Sequence, residues 1–403
     1  MNTQAWLVTL AAWSILGIGV CDGAEPRAED QRFDPAALRE LPDNTWLDLQ
    51  LTWRGGNEIP AVFDAANQVF FKYGGCGDQT SRINIEGSSR PNETYGNSCW
   101  VINMARGQWE LRRPRDVSFP KNRPANGCSR CFAYDSHRRV IWMYGGISNG
   151  GGGGDQWDLW TYDAQADTFK QWHTKDRPPA GDGANTWMRG GDVFVHDSHA
   201  DLLIMPRGEV TWVFDPKTGN WQARNTPAGP VGPGHYASMV YDAAARRLVY
   251  PTMEPTGRTV PKLQGAPAAT ENTFWRSKGD LWHECRFTTW TYDSQTNHWA
   301  RLALPDDAPR PSPRWRFGLA YDSNHQAVIL IGGSTDTWER DEKYFHDVWV
   351  LDTGAGRWQE MQPHGAPPDV RHRECRHCAY APEQNVVLFL NHAGSLAAYR
   401  YQK

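Results

Sequence analysis

Short runs of β-branched and aromatic residues alternate with clusters of Gly, Asn, Asp and Pro from about Thr45 to the C-terminus, and no stretch carries an apolar stripe at helical spacing. The pattern predicts many short strands, and the strands come in sets of four. In each set an apolar strand ends in an aromatic residue plus Asp, and a second runs into Gly-Gly. A third carries Trp-x-aromatic-Asp, and a fourth holds one further tryptophan. One set reads Cys131-Phe132-Ala133-Tyr134-Asp135, Val140 to Gly146, Trp160-Thr161-Tyr162-Asp163 and Trp172. Another reads Ala320-Tyr321-Asp322, Ile329 to Gly333, Trp349-Val350-Leu351-Asp352 and Trp358. The set beginning at Phe63-Asp64 keeps Gly74-Gly75, Trp100 to Asn103 and Trp109. The sets beginning at His196-Asp197 and Tyr241-Asp242 keep their Trp-x-aromatic-Asp segments, from Trp212 and Trp290, and lack the glycine pair.

The fourth-strand tryptophans are Trp46, Trp109, Trp172, Trp221, Trp299 and Trp358. A self-similar period of this size means stacked units, each too small to bury its own apolar face. The sixth set has three strands, Ala379-Tyr380, Val386 to Gly394 and Leu396 to Tyr401, and then the chain ends. Its missing fourth strand stands alone near the N-terminus as Thr45-Trp46-Leu47-Asp48-Leu49. The predicted fold is therefore all-β: a six-bladed propeller closed by an N-terminal strand in the last blade, which removes two sheet edges. Seven blades is the alternative if residues 252–288 hide a degenerate unit. The recurring Gly-Gly and downstream aromatics resemble the kelch repeat, from about Thr45 to Lys403. That resemblance implies radial four-stranded blades, with ligands held by the loops around the central channel.

Composition agrees with strands: 27 prolines among 403 residues leave little room for long helices. The net charge of -4, without a basic stripe, excludes a nucleic-acid surface. Residues Ala5 to Val20 are apolar except for Thr9 and Ser14, short for a span and placed where a signal-peptide core sits. Residues 1–23 thus read as a signal peptide cleaved before Ala24, 24–44 as a linker, and 45–403 as a single propeller domain. Val20 is bulky where a lipoprotein needs a small residue, which argues against anchoring through Cys21. A secreted or periplasmic monomer is expected, with no transmembrane segment once the signal is removed. In such a compartment most of the remaining seven cysteines should pair. Cys76 and Cys99 bound an insertion that contains Asn92-Glu93-Thr94, and a disulfide between them is the simplest reading. A second insertion, from about Thr252 to Trp282, carries Trp275 and Trp282.

Cys128-x-x-Cys131 and Cys375-x-x-Cys378 have the spacing of a zinc knuckle but lie in or beside strands, where residues three apart point to opposite faces. No metal site and no cofactor is expected from them. The first residues of the inner strands are expected to ring the channel mouth. They include Arg130, Arg189, Arg314, Arg316 and Arg376, with His235, Tyr236 and His377, and Trp187 and Trp315 beside them. Guanidinium groups suit carboxylate or sulfate, and tryptophan faces suit a sugar ring or a cation. The expected function is non-catalytic binding of a carbohydrate or another anionic extracellular ligand at that mouth. The plainer reading is that the arginines pair with Glu58, Asp192 and Glu374 and merely close the channel. An enzymatic alternative is a polysaccharide lyase acting on uronates. Arg189 or Arg316 would neutralise the carboxylate, His235 would take the neighbouring proton, and Tyr236 would protonate the leaving oxygen. A glycosidase would use Glu58 and Glu374 instead. The resemblance carries one more alternative, a copper-radical oxidase of the galactose-oxidase type. The axial His235-Tyr236 pair stands in the opposite order from that family's ligand set.

Overall fold

The computed structural model describes residues 31–52, 60–76, 95–116, 121–125, 127, 130–148, 154–155, 157–178, 193–207, 210–226, 229–230, 238–262, 267–268, 270, 273–278, 280–305, 307–335, 343–365, 378–390 and 395–402. The strands form six antiparallel blades, with a two-stranded ribbon, Ile147–Ser148 with Gly154–Asp155, beside them, and one edge strand of each blade faces the axis. These inner strands are Val62–Asp64, Cys131–Asp135, Val195–Asp197, Val240–Asp242, Gly318–Asp322 and Cys378–Ala381. Each touches the next, and the last touches the first, so the ring is closed. The six-bladed propeller expected from the repeat is the architecture observed.

Closure uses the strand the repeat left over. Thr45–Thr52 pairs antiparallel with Ser395–Arg400 as the outer strand of blade 6, with Trp46 opposite Tyr399. Trp46 packs between the sheets of blades 5 and 6, against Phe389 and Tyr399. The segment before it is not a loose linker. Asp34 caps a one-turn-and-a-half helix, Pro35–Glu40, by accepting the Ala36 N–H at 2.9 Å. Leu38 of that helix is buried among the side chains of blades 1 and 6. Phe33 donates its N–H to Gly107 O at 2.8 Å, so close that a Cβ on Gly107 would collide with the Phe33 carbonyl.

In blades 1 to 5 the hairpin between the first two strands is built alike, while blade 6 has Ala381 where the others have Asp. The Asp at the strand end accepts backbone N–H groups two and three residues on, as Asp64 does from Ala66 and Asn67 and Asp322 from Asn324 and His325. The last turn residue is then left-handed: Gln68, Arg139, Asp201, Arg246, Gln326 and Asn385. The Gly-Gly pairs do a different job from the tight turn expected of them. In blades 1 and 5 they sit inside the second strand at a register shift. A Cβ on Gly333 would meet the Trp315 carbonyl at 2.7 Å, so the pair lets an incoming chain cross the strand.

The tryptophans pack between adjacent sheets as expected, with one exception. Trp109, Trp221, Trp299 and Trp358 are buried, and the indoles of Trp299 and Trp358 donate to Thr211 and Thr289 of the preceding blade at 3.1 Å. Each of the four lies opposite the residue just before the third-strand Asp or Asn. In blade 2 that register belongs to Phe169, opposite Tyr162, while Trp172 lies three residues further on and is half-buried under Lys170.

The second insertion is neither a loop nor a seventh blade. It is an extension of blade 4, whose second and third strands run to 15 and 13 residues, Arg247–Pro261 and Leu281–Asp293. A further strand, Phe274–Lys278, pairs on its edge.

Candidate functional site

Blade topology gives the channel two distinct mouths. At the upper mouth the inner strands begin, the second strands end, and the blade 4 extension emerges. At the lower mouth the inner strands run out in aromatic-Asp pairs, except His196-Asp197 in blade 3 and Tyr380-Ala381 in blade 6. Between them lies a cavity of about 440 Å³ lined by residues of all six inner strands.

The arginines expected at the upper mouth are only partly a ligand ring. Arg130 is buried and paired with Asp158 at 3.1 Å, and Asp158 also accepts the Trp160 indole N–H at 2.6 Å. Arg314 forms a two-bond fork with Asp347, which accepts the Trp349 indole at 2.8 Å, while its guanidinium lies 3.7 Å from the Phe345 ring centre. Both were expected to bind ligand. Both instead pin the third strand of their own blade through Asp158 and Asp347, while Glu58, Asp192 and Glu374 lie outside the described residues. Blade 4 repeats the device with Glu254 between Arg301 and Trp290. Arg316 is buried too, with a left-handed backbone, so it is not an exposed cation. Trp315 is half-buried and held by two backbone bonds to Ser334. Trp187, Arg189, His235, Tyr236, Arg376 and His377 lie outside the described residues, as do Cys128, Cys375 and residues 77–94.

The expected Cys76–Cys99 disulfide is not formed, because Cys99 carries a free, buried thiol. Register explains it: Cys99 lies opposite Tyr73 and Cys76 opposite Tyr95, about 13 Å apart along the strand pair and beyond any disulfide span. Burial pushes the Cys99 thiol up to about 12.

The blade 4 extension carries two cations over tryptophan rings, beside Arg207 over Trp157 in blade 3 and Lys343 over Phe345 in blade 5 at the same end. Arg258 lies over the Trp275 ring at 5.2 Å and Lys262 over the Trp282 ring at 5.9 Å. Glu284 fixes this surface by accepting from Thr256 at 2.8 Å and from Arg258 at 3.2 Å.

At the lower mouth an inner-strand tyrosine reaches across four of the blade boundaries to the Asp of the preceding blade. The Tyr134 hydroxyl accepts the Ala66 N–H at 3.1 Å beside Asp64, and the Tyr321 hydroxyl accepts Ala244 N–H at 3.2 Å beside Asp242. Tyr241 lies against Asp197 and Tyr380 against Asp322 in the same way. Burial raises all four phenols, those of Tyr134 and Tyr321 to about 12. Blade 3 has His196 at this position, with Nε2 3.6 Å from Asp135 Oδ1 and 3.4 Å from Asp201 Oδ1. His137 Nδ1 approaches Asp201 Oδ1 at 3.3 Å, and Arg138 forks onto the same carboxylate at 2.6 and 3.0 Å. Lys217 adds a contact at 3.0 Å. Arg138 holds the Asp201 carboxyl well below its ordinary range, and burial holds His196 below its own. No residue of this cluster was singled out from sequence as a ligand. The available signal was His196 standing where four other blades place tyrosine.

Comparison with known proteins bears on the fold. No protein-family model matches the chain. Kelch domain-containing protein 3 of Rattus norvegicus and of Mus musculus are each 30% identical to it over 98 residues, which is 24% of this chain and 23% of theirs. The match thus spans about a quarter of the length of those curated relatives. The solved structure of YjhT superposes with a TM-score of 0.50 at 12% identity, over 86% of this chain and 94% of that one. The protein is a six-bladed β-propeller whose repeats resemble those of kelch proteins. The lower-mouth latches tie neighbouring blades together, and the buried acid-arginine-tryptophan groups tie strands within a blade. What differs between blades, the upper-mouth arm and the His137–His196–Asp201 cluster, is where this propeller's own chemistry is concentrated among the described residues.

Proposed function

We propose that this propeller is an exported recognition module, binding a carbohydrate or another anionic ligand at its upper mouth without chemistry. The observation that carries the reading is the blade 4 arm. It is a rigid extension of the sheet, beyond the end where the inner strands begin, presenting Arg258 and Lys262 over tryptophan faces. Such a surface offers charge to a carboxylate or sulfate, with the half-buried Trp282, rather than the buried Trp275, as the ring beside it. No helix among the described residues is long and apolar enough to cross a membrane. The test is binding of the purified protein to an array of acidic and neutral glycans. Retention on carboxylated or sulfated glycans, weakened by added salt and by the double change R258A/K262A, supports the reading. Equal retention of the variant, or no retention on any acidic glycan, overturns it. Release of unsaturated, ultraviolet-absorbing ends from a uronate polymer would replace it with the lyase reading.

A further inference from the structure

We propose that His137, His196 and Asp201 form a binding site for a divalent transition-metal ion such as zinc, at the lower mouth of the channel. The three ligand atoms lie within 4.8 Å of one another. Ligands bound about 2.0–2.1 Å from a tetrahedral zinc stand about 3.4 Å apart. The two edges at Asp201 Oδ1 already have that length, 3.3 Å to His137 Nδ1 and 3.4 Å to His196 Nε2. A small rotation of the half-exposed His137 ring closes the third.

Counting lone pairs shows why these three groups, and not their neighbours, are the ligands. A carboxylate offers about four acceptor positions. Asp135 has all of its own filled, by the backbone N–H groups of His137 and Arg138, the Trp142 indole and the Arg138 guanidinium. It is therefore outside the ligand set although His196 lies 3.6 Å away. Asp201 has three filled, two by the Arg138 fork and one by Lys217 on Oδ2. One position remains, on Oδ1, and two imidazole nitrogens face it. A single lone pair cannot satisfy two ring N–H donors. A cation accepting from all three atoms satisfies each at once.

The surroundings fit. Two imidazoles and one carboxylate are the donor set of three-ligand zinc centres with an open fourth position. Arg138 and Lys217 fix the carboxylate's orientation from outside, as outer-shell groups do. The same two positive charges keep the affinity below that of a closed structural site. His137, 47% exposed in its side chain, provides the route in, while His196 lines the channel. The ligands belong to blades 2 and 3, so an occupied site would clamp one blade boundary that lacks the tyrosine latch.

The experiment uses the full chain, stripped with chelator and titrated with cobalt(II) and zinc(II). The visible absorption of cobalt, calorimetry and the thermal midpoint are read together. One equivalent of metal should bind, with the absorption of four-coordinate cobalt and a rise in the midpoint. H137A, in an exposed turn, should weaken binding at least tenfold and abolish that rise, whereas H199A in the neighbouring turn should leave both unchanged. H196N should weaken binding as H137A does. Absence of stoichiometric binding overturns the proposal, and so does binding that survives H137A or falls equally in H199A.

Discussion

Buried charge sets the behaviour of individual residues here. Arg314 has almost no exposure, and among the described residues its guanidinium is paired with the Asp347 carboxylate. Removing one partner of such a pair leaves an uncompensated charge in low dielectric, which costs about 3–5 kcal/mol. D347N should therefore lower stability by about that amount in urea denaturation, with ligand binding at the arm unaltered in the fraction that remains folded. A change below about 1 kcal/mol would mean that water reaches the guanidinium. Cys99 follows from burial alone. With its thiol pushed up to about 12, it should resist alkylation in the native protein even at mildly alkaline pH, and react only after unfolding. Mass-spectrometric mapping of the Cys99 peptide with and without denaturant checks this.

At the scale of strands and turns, the lower-mouth latches tie blade to blade. Y321F removes a hydroxyl that accepts the Ala244 N–H and should cost about 1 kcal/mol. The blade 2–3 boundary uses His196 and Asp201 instead, and so responds to acid. Asp201 is held below its unfolded value of about 3.9, so its stabilisation is present above that pH and is lost as pH falls through the folded value. His196 is also held below its ordinary value of about 6.5. Below that pH the unfolded chain takes up a proton that the folded chain resists, and stability again falls. In chelator-containing buffer the thermal midpoint should be level from pH 7 to 8 and decline on acidification below about pH 6.5, and H196N should remove the upper part of that decline. A midpoint that rises on acidification would contradict the burial of His196. Register decides a third outcome at this scale: W358A should cost about 3–5 kcal/mol, and W172A distinctly less because Phe169 holds the inter-sheet position in blade 2.

For the molecule as a whole, ring closure is the cooperative element. Trp46 sits on the one strand that joins the two ends of the chain, packed against blades 5 and 6. W46A should lower stability by about 3–5 kcal/mol, and deletion through Thr52 should leave the Ser395–Arg400 edge open and the protein prone to association, as size-exclusion chromatography would show. The blade count and this closure were legible in the chain because period, turn chemistry and strand patterning are local, and they repeat. Local periodicity also carried the Asx turns and most of the tryptophan packing. It failed where an outcome depends on pairing between segments distant in sequence. The Cys76–Cys99 bond was refused by strand register, and the upper-mouth arginines were claimed by aspartates 28 and 33 residues away. The strands of the blade 4 insertion gain meaning only by pairing with each other, so the insertion carried no sign of its form. His137 and His196, 59 residues apart, meet only because neighbouring blades bring their turns together. Sequence alone thus determined the repeating unit, since each blade's hydrogen bonds and apolar faces are satisfied by rules that act over a few residues. Tertiary structure alone decided which charges are buried and which converge, because electrostatic partners are chosen by distance in space rather than along the chain.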